Sequence, residues 1–214
     1  MIDSNFIKNT AINISNVTRE TLKELNDYGM SIISKNKDIN LISSSSEKSI
    51  NTRHIIDSAQ TIDFIDNIKI NTCTDLGSGA GLPGIVLAIL MKHKKPQFNV
   101  IFYEKSFHKS KFLIDMSKKF NLNTEVHQKN IFEEKNLSTD VIISRAFKPM
   151  PIIFNIAEKN FKSFKYIILF LGKSGKRILN ETLKTWKFDY EEKKSLTSKE
   201  SLVVKISNLR KKNG

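Results

Sequence analysis

The chain has 214 residues, a single cysteine and a formal net charge of +13. That length builds one core with at most a small extension, one thiol excludes an internal disulfide, and no apolar run reaches the ~18 residues of a membrane-spanning helix. The charge suits a polyanion such as RNA, although a lysine-rich chain with five arginines also reflects coding bias. Met1-Ile2-Asp3-Ser4-Asn5 lacks the basic start and apolar stretch of an export signal, so a cytoplasmic protein is expected.

In chain order, Thr18-Arg19-Glu20 caps an expected helix whose Leu22, Leu25, Ile32 and Ile33 share one face. Residues 36–40 form a polar break, and Leu41-Ile42 leads into four serines, Ser43 to Ser46. Ser44 with Glu47 makes a capping box, so this run reads as a helix start rather than a linker. Residues 53–64 read as one helix with Ile55, Ile56, Ala59 and Ile62 facing inward. On it His54 and Asp57 share a face, forming either a hydrogen-bonded pair at a site or an ordinary contact between helices.

From Asn71 the pattern changes to alternating strands and helices, the mark of an α/β doubly wound, mostly parallel sheet. Strands are expected at 72–75, 100–104, 124–127, 141–144, 166–171 and 202–207, with one more near Phe188. A helix over 107–120 repeats Phe112, Met116 and Phe120 every four residues. The reading is one unit over 1–214, with 1–70 as a helical extension and 71–208 as a Rossmann-like core.

The segment Thr74-Asp75-Leu76-Gly77-Ser78-Gly79-Ala80-Gly81-Leu82-Pro83-Gly84 joins an apolar strand to an apolar helix starting at Ile85. That is the layout of a nucleotide-binding turn; a tight strand–helix connection is the alternative. Glu104 follows Gly84 by twenty residues at the end of Val100-Ile101-Phe102-Tyr103, where a carboxylate accepts hydrogen bonds from ribose hydroxyls. Dinucleotide sites favour Gly-x-Gly-x-x-Gly, whereas this loop is Gly-x-Gly-x-Gly behind Asp75. A carboxylate there repels a pyrophosphate and suits a cationic amino-acid tail, so S-adenosylmethionine fits better than NAD. Asp75 then holds the ammonium, directly or through water, or caps the following helix.

This loop, with Arg53-His54-Ile55-Ile56-Asp57-Ser58 before it and Ile143-Ser144-Arg145-Ala146-Phe147 after it, resembles the RsmG (GidB) family over about residues 18–206. Leu82-Pro83-Gly84 and Ser144-Arg145-Ala146-Phe147 carry the likeness more than the glycines do. The resemblance implies a Rossmann-like class I S-adenosylmethionine-dependent methyltransferase with an N-terminal helical cap. Its implied reaction is methylation of a guanine N7 in small-subunit (16S) ribosomal RNA, free or within the small subunit. Apart from the resemblance, a monomer without membrane attachment is expected, and no residue pattern fixes the oligomeric state. Asp75, Gly77, Gly79, Gly81, Leu82, Glu104, Asn130, Ile131 and Arg145 are the implied cofactor residues, with Asn130 and Ile131 at the adenine. Lys129-Asn130-Ile131 departs from the family pattern, which more often has arginine there. A Lys-Gly pair after the fifth strand is replaced by Leu171-Gly172-Lys173, with Lys173 as the substitute.

Arg145 is the residue assigned a catalytic role, because a guanidinium at a strand end offers a rigid donor fork; a structural salt bridge is its alternative. Phe147 either stacks a base or packs in the core. Pro83 belongs in a first helical turn, and Cys73 reads as a buried, inert thiol. No metal cluster is evident among the four scattered histidines. Four basic segments, 92–95, 105–111, 173–177 and 210–212, are candidates for phosphate contact. Guanine N7 carries a free lone pair, so its methylation needs no general base. A protein or small-molecule methyltransferase, and a non-catalytic RNA-binding assembly factor, stand as alternatives.

Overall fold

The computed structural model describes residues 17–65 and 69–212; the reading of Met1 to Asn5 lies outside them. Helix α1 (Arg19–Asn36) starts at Thr18, whose hydroxyl accepts the Thr21 N–H. Its Leu22, Leu25 and Ile32 are buried and Ile33 packs at their margin. The serine run folds as a 3-10 turn (Ser44–Ser49) without a side-chain cap. The expected capping box does not form, because the Glu47 carboxylate accepts from Asn36 Nδ2 at 2.6 Å instead.

The single helix expected over 53–64 is broken into three pieces. A π-helical stretch (Ile50–Ile56) leads into α2 (Asp57–Ala59), and after a turn comes α3 (Ile62–Ile65). Ile55, Ile56, Ala59 and Ile62 nonetheless all point into the core.

The sheet comprises β1 (Thr72–Leu76), β2 (Asn99–Tyr103), β3 (Thr124–His127), β5 (Val141–Arg145), β7 (Tyr166–Leu171), β8 (Trp186–Lys194) and β9 (Leu202–Lys211). Their spatial order is β3-β2-β1-β5-β7-β9-β8. The first five run parallel, whereas β9 is antiparallel to β7 and to β8. A separate short pair, β4 (Leu137–Ser138) with β6 (Phe161–Ser163), lies outside this sheet. Between strands run α4 (Gly84–Met91), α5 (Phe107–Lys119), α6 (Met150–Asn160) and α7 (Gly175–Thr185).

Every residue of α4 is buried, as expected for a helix apolar all round. It sits between the sheet and the N-terminal helices, which form a further layer over it. The opposite face of the sheet carries a second cluster built on Phe154, Ile167, Trp186 and Val204. With both faces covered, β1 reads as a continuous buried strand. Chain order reverses at β1, with β2 on one side and β5 on the other. In an open α/β sheet that arrangement leaves a crevice beyond the strand C-termini.

Candidate functional site

The crevice is occupied by the loop that leaves β1. Its Gly77 and Ser78 N–H groups both donate to the Tyr103 carbonyl at the end of β2, at 2.9 and 3.3 Å. Gly77 has φ +66°, and a Cβ there would lie 2.1 Å from the Phe147 ring. Only glycine lets that ring lie on the loop. Phe147 is brought back over Gly77 by Ala146, itself in the left-handed region with φ +53°. At Gly79 an added Cβ would meet nothing nearer than 3.9 Å, so this part of the backbone faces open space. Gly81 turns the other way, toward Ile85, Leu113 and the Tyr28 hydroxyl. Tyr28 is fully buried and donates to the Ala80 carbonyl at 2.6 Å, so α1 braces the loop from behind.

Asp75 is 1% exposed and lies behind the loop. Its Oδ2 accepts the N–H of Gly84, the first residue of α4, at 3.0 Å, which is the helix-capping alternative. Burial raises its pKa to about 7, with the Gly84 hydrogen bond opposing and the Glu104 charge adding to the rise. Pro83 stands at the N-cap rather than inside the first turn.

Glu104, 9% exposed, begins just after β2. Its Oε2 accepts from Gly79 N at 2.9 Å and its Oε1 from Ser106 N at 2.8 Å. Each carboxylate oxygen keeps a second lone pair for a ligand hydroxyl. Beyond β3, Asn130 caps a 3-10 turn (Ile131–Glu133) with its side chain and also donates to Glu133 at 2.6 Å. Ile131 buries its side chain in the second core cluster, leaving main chain as the polar edge that this segment offers.

Arg145 ends β5 with its guanidinium turned to the N-terminal layer. Nη2 lies 3.2 Å from Asp57 Oδ2 and donates to the Arg53 carbonyl at 2.7 Å, while Nη1 reaches Ser58 Oγ at 3.5 Å. The local backbone explains the second bond. The Asp57 N–H bonds the carbonyls of Thr52 and His54, skipping Arg53, the partner of an α-helical turn. The π-helical turn thereby releases a carbonyl for Arg145. Asp57 Oδ1 also accepts from Gln60, Ser195 and Thr197 at 3.0, 2.8 and 2.9 Å. One carboxylate thus joins the helical layer, the end of β5 and the turn between β8 and β9.

Of the two readings for His54 and Asp57, the contact between elements is the one that forms: among the described residues no hydrogen bond joins the His54 ring to Asp57. His54 Nε2 meets Ser46 Oγ at 2.8 Å. The Ser46 hydroxyl donates to the Ser43 carbonyl, which makes Nε2 the protonated nitrogen. Burial and the Arg145 charge lower the His54 pKa to about 4, leaving a neutral ring at neutral pH.

These elements enclose a cavity of about 630 Å³. Gly77, Gly79, Leu82, Glu104, Asn130, Ile131 and Arg145 line it; Asp75 and Gly81 lie behind its wall. His54, offered by the sequence as one of two readings, lines the cavity, whereas the contribution of Leu41 and Ile42 from the helical layer, and of Tyr103, Phe132 and Lys148, was missed. Only the apolar pair Leu41-Ile42 between two polar stretches hinted at the first group. Lys173 does not line the cavity; it pairs with Glu200 at 3.3 Å. Cys73 is fully buried, and burial pushes its thiol pKa well up.

A seven-stranded sheet in this order, with a glycine loop after β1 and an acid after its neighbour β2, defines a class I S-adenosylmethionine-dependent methyltransferase. Solved structures share the fold: the 16S rRNA methylase RmtB (TM-score 0.54, 10% identity, 94% of this chain and 79% of that one) and a Klebsiella pneumoniae protein assigned as an O-methyltransferase (TM-score 0.60, 10% identity, 95% of each). The family model for GidB, rRNA small subunit methyltransferase G, matches residues 21–205, and the chain belongs to that family. It is 48% identical over 200 residues to ribosomal RNA small subunit methyltransferase G of Pelagibacter ubique, covering 92% of this chain and 93% of that protein. The Rickettsia felis protein of the same name is 34% identical over 195 residues, covering 91% and 97%.

Proposed function

We propose that this chain transfers a methyl group from S-adenosylmethionine to N7 of one guanine in small-subunit (16S) ribosomal RNA. The carrying observation is the cavity itself, where the open backbone at Gly79 meets the Glu104 carboxylate and the segment after β5. The donor set fits the cofactor. Backbone at Gly77 and Gly79 cradles the amino-acid portion, and Leu82 packs beside it. Glu104 accepts the ribose hydroxyls with its second lone pairs. Main chain at Asn130 and Ile131 borders the adenine, which explains how the departure from the family pattern is tolerated there.

Bound S-adenosylmethionine supplies an electrophilic methyl on a sulfonium. The chain's part is to align guanine N7 with that methyl and to exclude water. The N7 lone pair is itself the nucleophile, so no residue has to remove a proton. Arg145 acts by positioning: its bonds to Asp57 and the Arg53 carbonyl fix the helical layer as one wall of the cavity. Asp75 fixes the start of α4, and with it the loop. The helical layer and the sheet work as one methyltransferase unit, a cytoplasmic monomer; no helix among the described residues is long and apolar enough to cross a membrane.

The test incubates the protein with methyl-labelled S-adenosylmethionine and small ribosomal subunits from cells lacking this enzyme. Mapping the label by nuclease digestion and mass spectrometry should find 7-methylguanosine at one position of the rRNA. Cofactor binding without any label would discard this acceptor.

A further inference from the structure

Among the residues lining the cavity, Glu104 is the sole acid, while Lys105, Lys109, Lys129, Arg145 and Lys148 are basic. Two of these cations are spoken for: Arg145 by Asp57, and Lys129 by Glu134 at 3.1 Å. Among the described residues, Lys105, Lys109 and Lys148 have no carboxylate within ion-pair distance; Lys148 instead stands over the Phe147 ring at 6.0 Å. In two of the other basic segments, 92–95 and 173–177, cations are paired with acids. Lys92 pairs with Glu24, Lys173 with Glu200 and Lys176 with Glu192, while Arg177 pairs with Glu181.

Of the three large exposed rings among the described residues, Phe132 lines the cavity, Phe107 stands in the basic segment 105–111 beside it, and Tyr190 lies on β8. Phe107 and Phe132, 58% and 45% exposed, are the large exposed phenylalanines among the described residues. Phe107 opens α5 between Lys105 and Lys109; Phe132 lines the cavity with its ring 6.3 Å from Phe147. A core-forming ring gains nothing from such exposure. Unpaired lysines interleaved with exposed rings are the surface chemistry that engages single-stranded nucleic acid: cations take phosphates and rings take unstacked bases. A-form duplex keeps its base faces stacked and offers rings no such contact.

We infer that Lys105, Phe107, Lys109, Phe132 and Lys148 form a docking face for single-stranded RNA at the cavity mouth. The lysines hold phosphates, and Phe107 and Phe132 stack nucleotides flanking the base that enters the cavity. This inference rests on RNA being the acceptor, as proposed above.

Equilibrium binding of a short fluorescein-labelled single-stranded RNA containing guanine, measured across a salt series, tests it. The same strand annealed to its complement serves for comparison. Lys105→Ala/Lys109→Ala/Lys148→Ala should flatten the slope of log K against log salt by about 2, at ≈0.7 per phosphate contact on single strands. Phe107→Ala/Phe132→Ala should weaken binding roughly thirtyfold or more without changing the slope, since each of the two lost stacks contributes about 1–3 kcal/mol. Lys173→Ala/Arg177→Ala, which removes already paired cations, should leave both readings near those of the unmodified chain. Thermal unfolding midpoints verify that each variant folds. Preference for the duplex, unchanged binding in both mouth variants, or no single-stranded binding overturns the docking face. Methyl transfer to small ribosomal subunits is read separately: its presence keeps the acceptor reading when the face fails, and its absence removes that reading too.

Discussion

Asp75 is a carboxylate that the fold keeps from water while asking it to hold the first N–H of α4. Its pKa rises from the ordinary 3.8 to about 7, chiefly through burial. Between those values the folded chain retains a proton that the unfolded chain has released. The sign follows: stability contributed at this position falls as pH rises from about 4 to about 7. Asp75→Asn keeps an oxygen acceptor for Gly84 and removes the titration. Urea midpoints of the unmodified chain should therefore decline relative to those of Asp75→Asn across that range; parallel curves would place the titration elsewhere. The acid's presence was legible from sequence, but its direction was not. Whether a carboxylate at a strand end meets ligand or backbone depends on a helix start nine residues later.

At the scale of elements, the π-helical turn and Arg145 explain each other. A turn that withholds one N–H from its usual acceptor leaves the Arg53 carbonyl to a guanidinium, with Asp57 supplying the counter-charge. The side chains of Arg145 and Asp57 are only 17% and 12% exposed. Asp57→Ala strands that cation and should cost roughly 3–5 kcal/mol in denaturant unfolding. Arg145→Lys keeps the charge but loses the fork, costing roughly 1.5–3 kcal/mol, in the range of a hydrogen bond to a charged group. A loss below about 0.5 kcal/mol in both, the scale of an ordinary surface change, would mean the contact carries no stability.

The inward periodicity of Ile55, Ile56, Ala59 and Ile62 showed a buried helical segment before the sheet. It did not show the π turn, because that turn is selected by a partner 92 residues away. The parallel strands β1, β2, β5 and β7 were legible as apolar runs, whereas β3, Thr124-Glu125-Val126-His127 at the sheet edge, was legible chiefly from its place in the strand–helix alternation. The reversal of β9 and the β4–β6 pair were not: direction is set by the turn between β8 and β9, and strands of two and three residues carry no readable period.

For the whole molecule, the surplus of lysine was visible at once, but its meaning depended on which lysines the fold pairs with acids. Net charge alone does not distinguish the mouth of the cavity from the β8–β9 side, where Lys193 meets Asp63 and Lys205 meets Glu191. Ligand binding to the native state alone stabilises the entire fold, by about 2.7 kcal/mol at one hundred times Kd. S-adenosylmethionine should thus raise the unfolding midpoint of the unmodified chain. Gly77→Arg must displace the Phe147 ring and take φ +66° with a side chain, so its midpoint should not respond to the cofactor. A full response in that variant would move the cofactor site away from this loop.

The bond from Tyr28 to Ala80 gives the molecule an internal gauge. Burial, and then the Asp75 charge, push the Tyr28 phenol well above its ordinary pKa of 10.0. In an alkaline absorbance titration it should be the last of the four tyrosines to ionise, and only when α1 parts from the loop. Its phenolate signal reports when the cradle has lost its back wall, with no cofactor, RNA or label added.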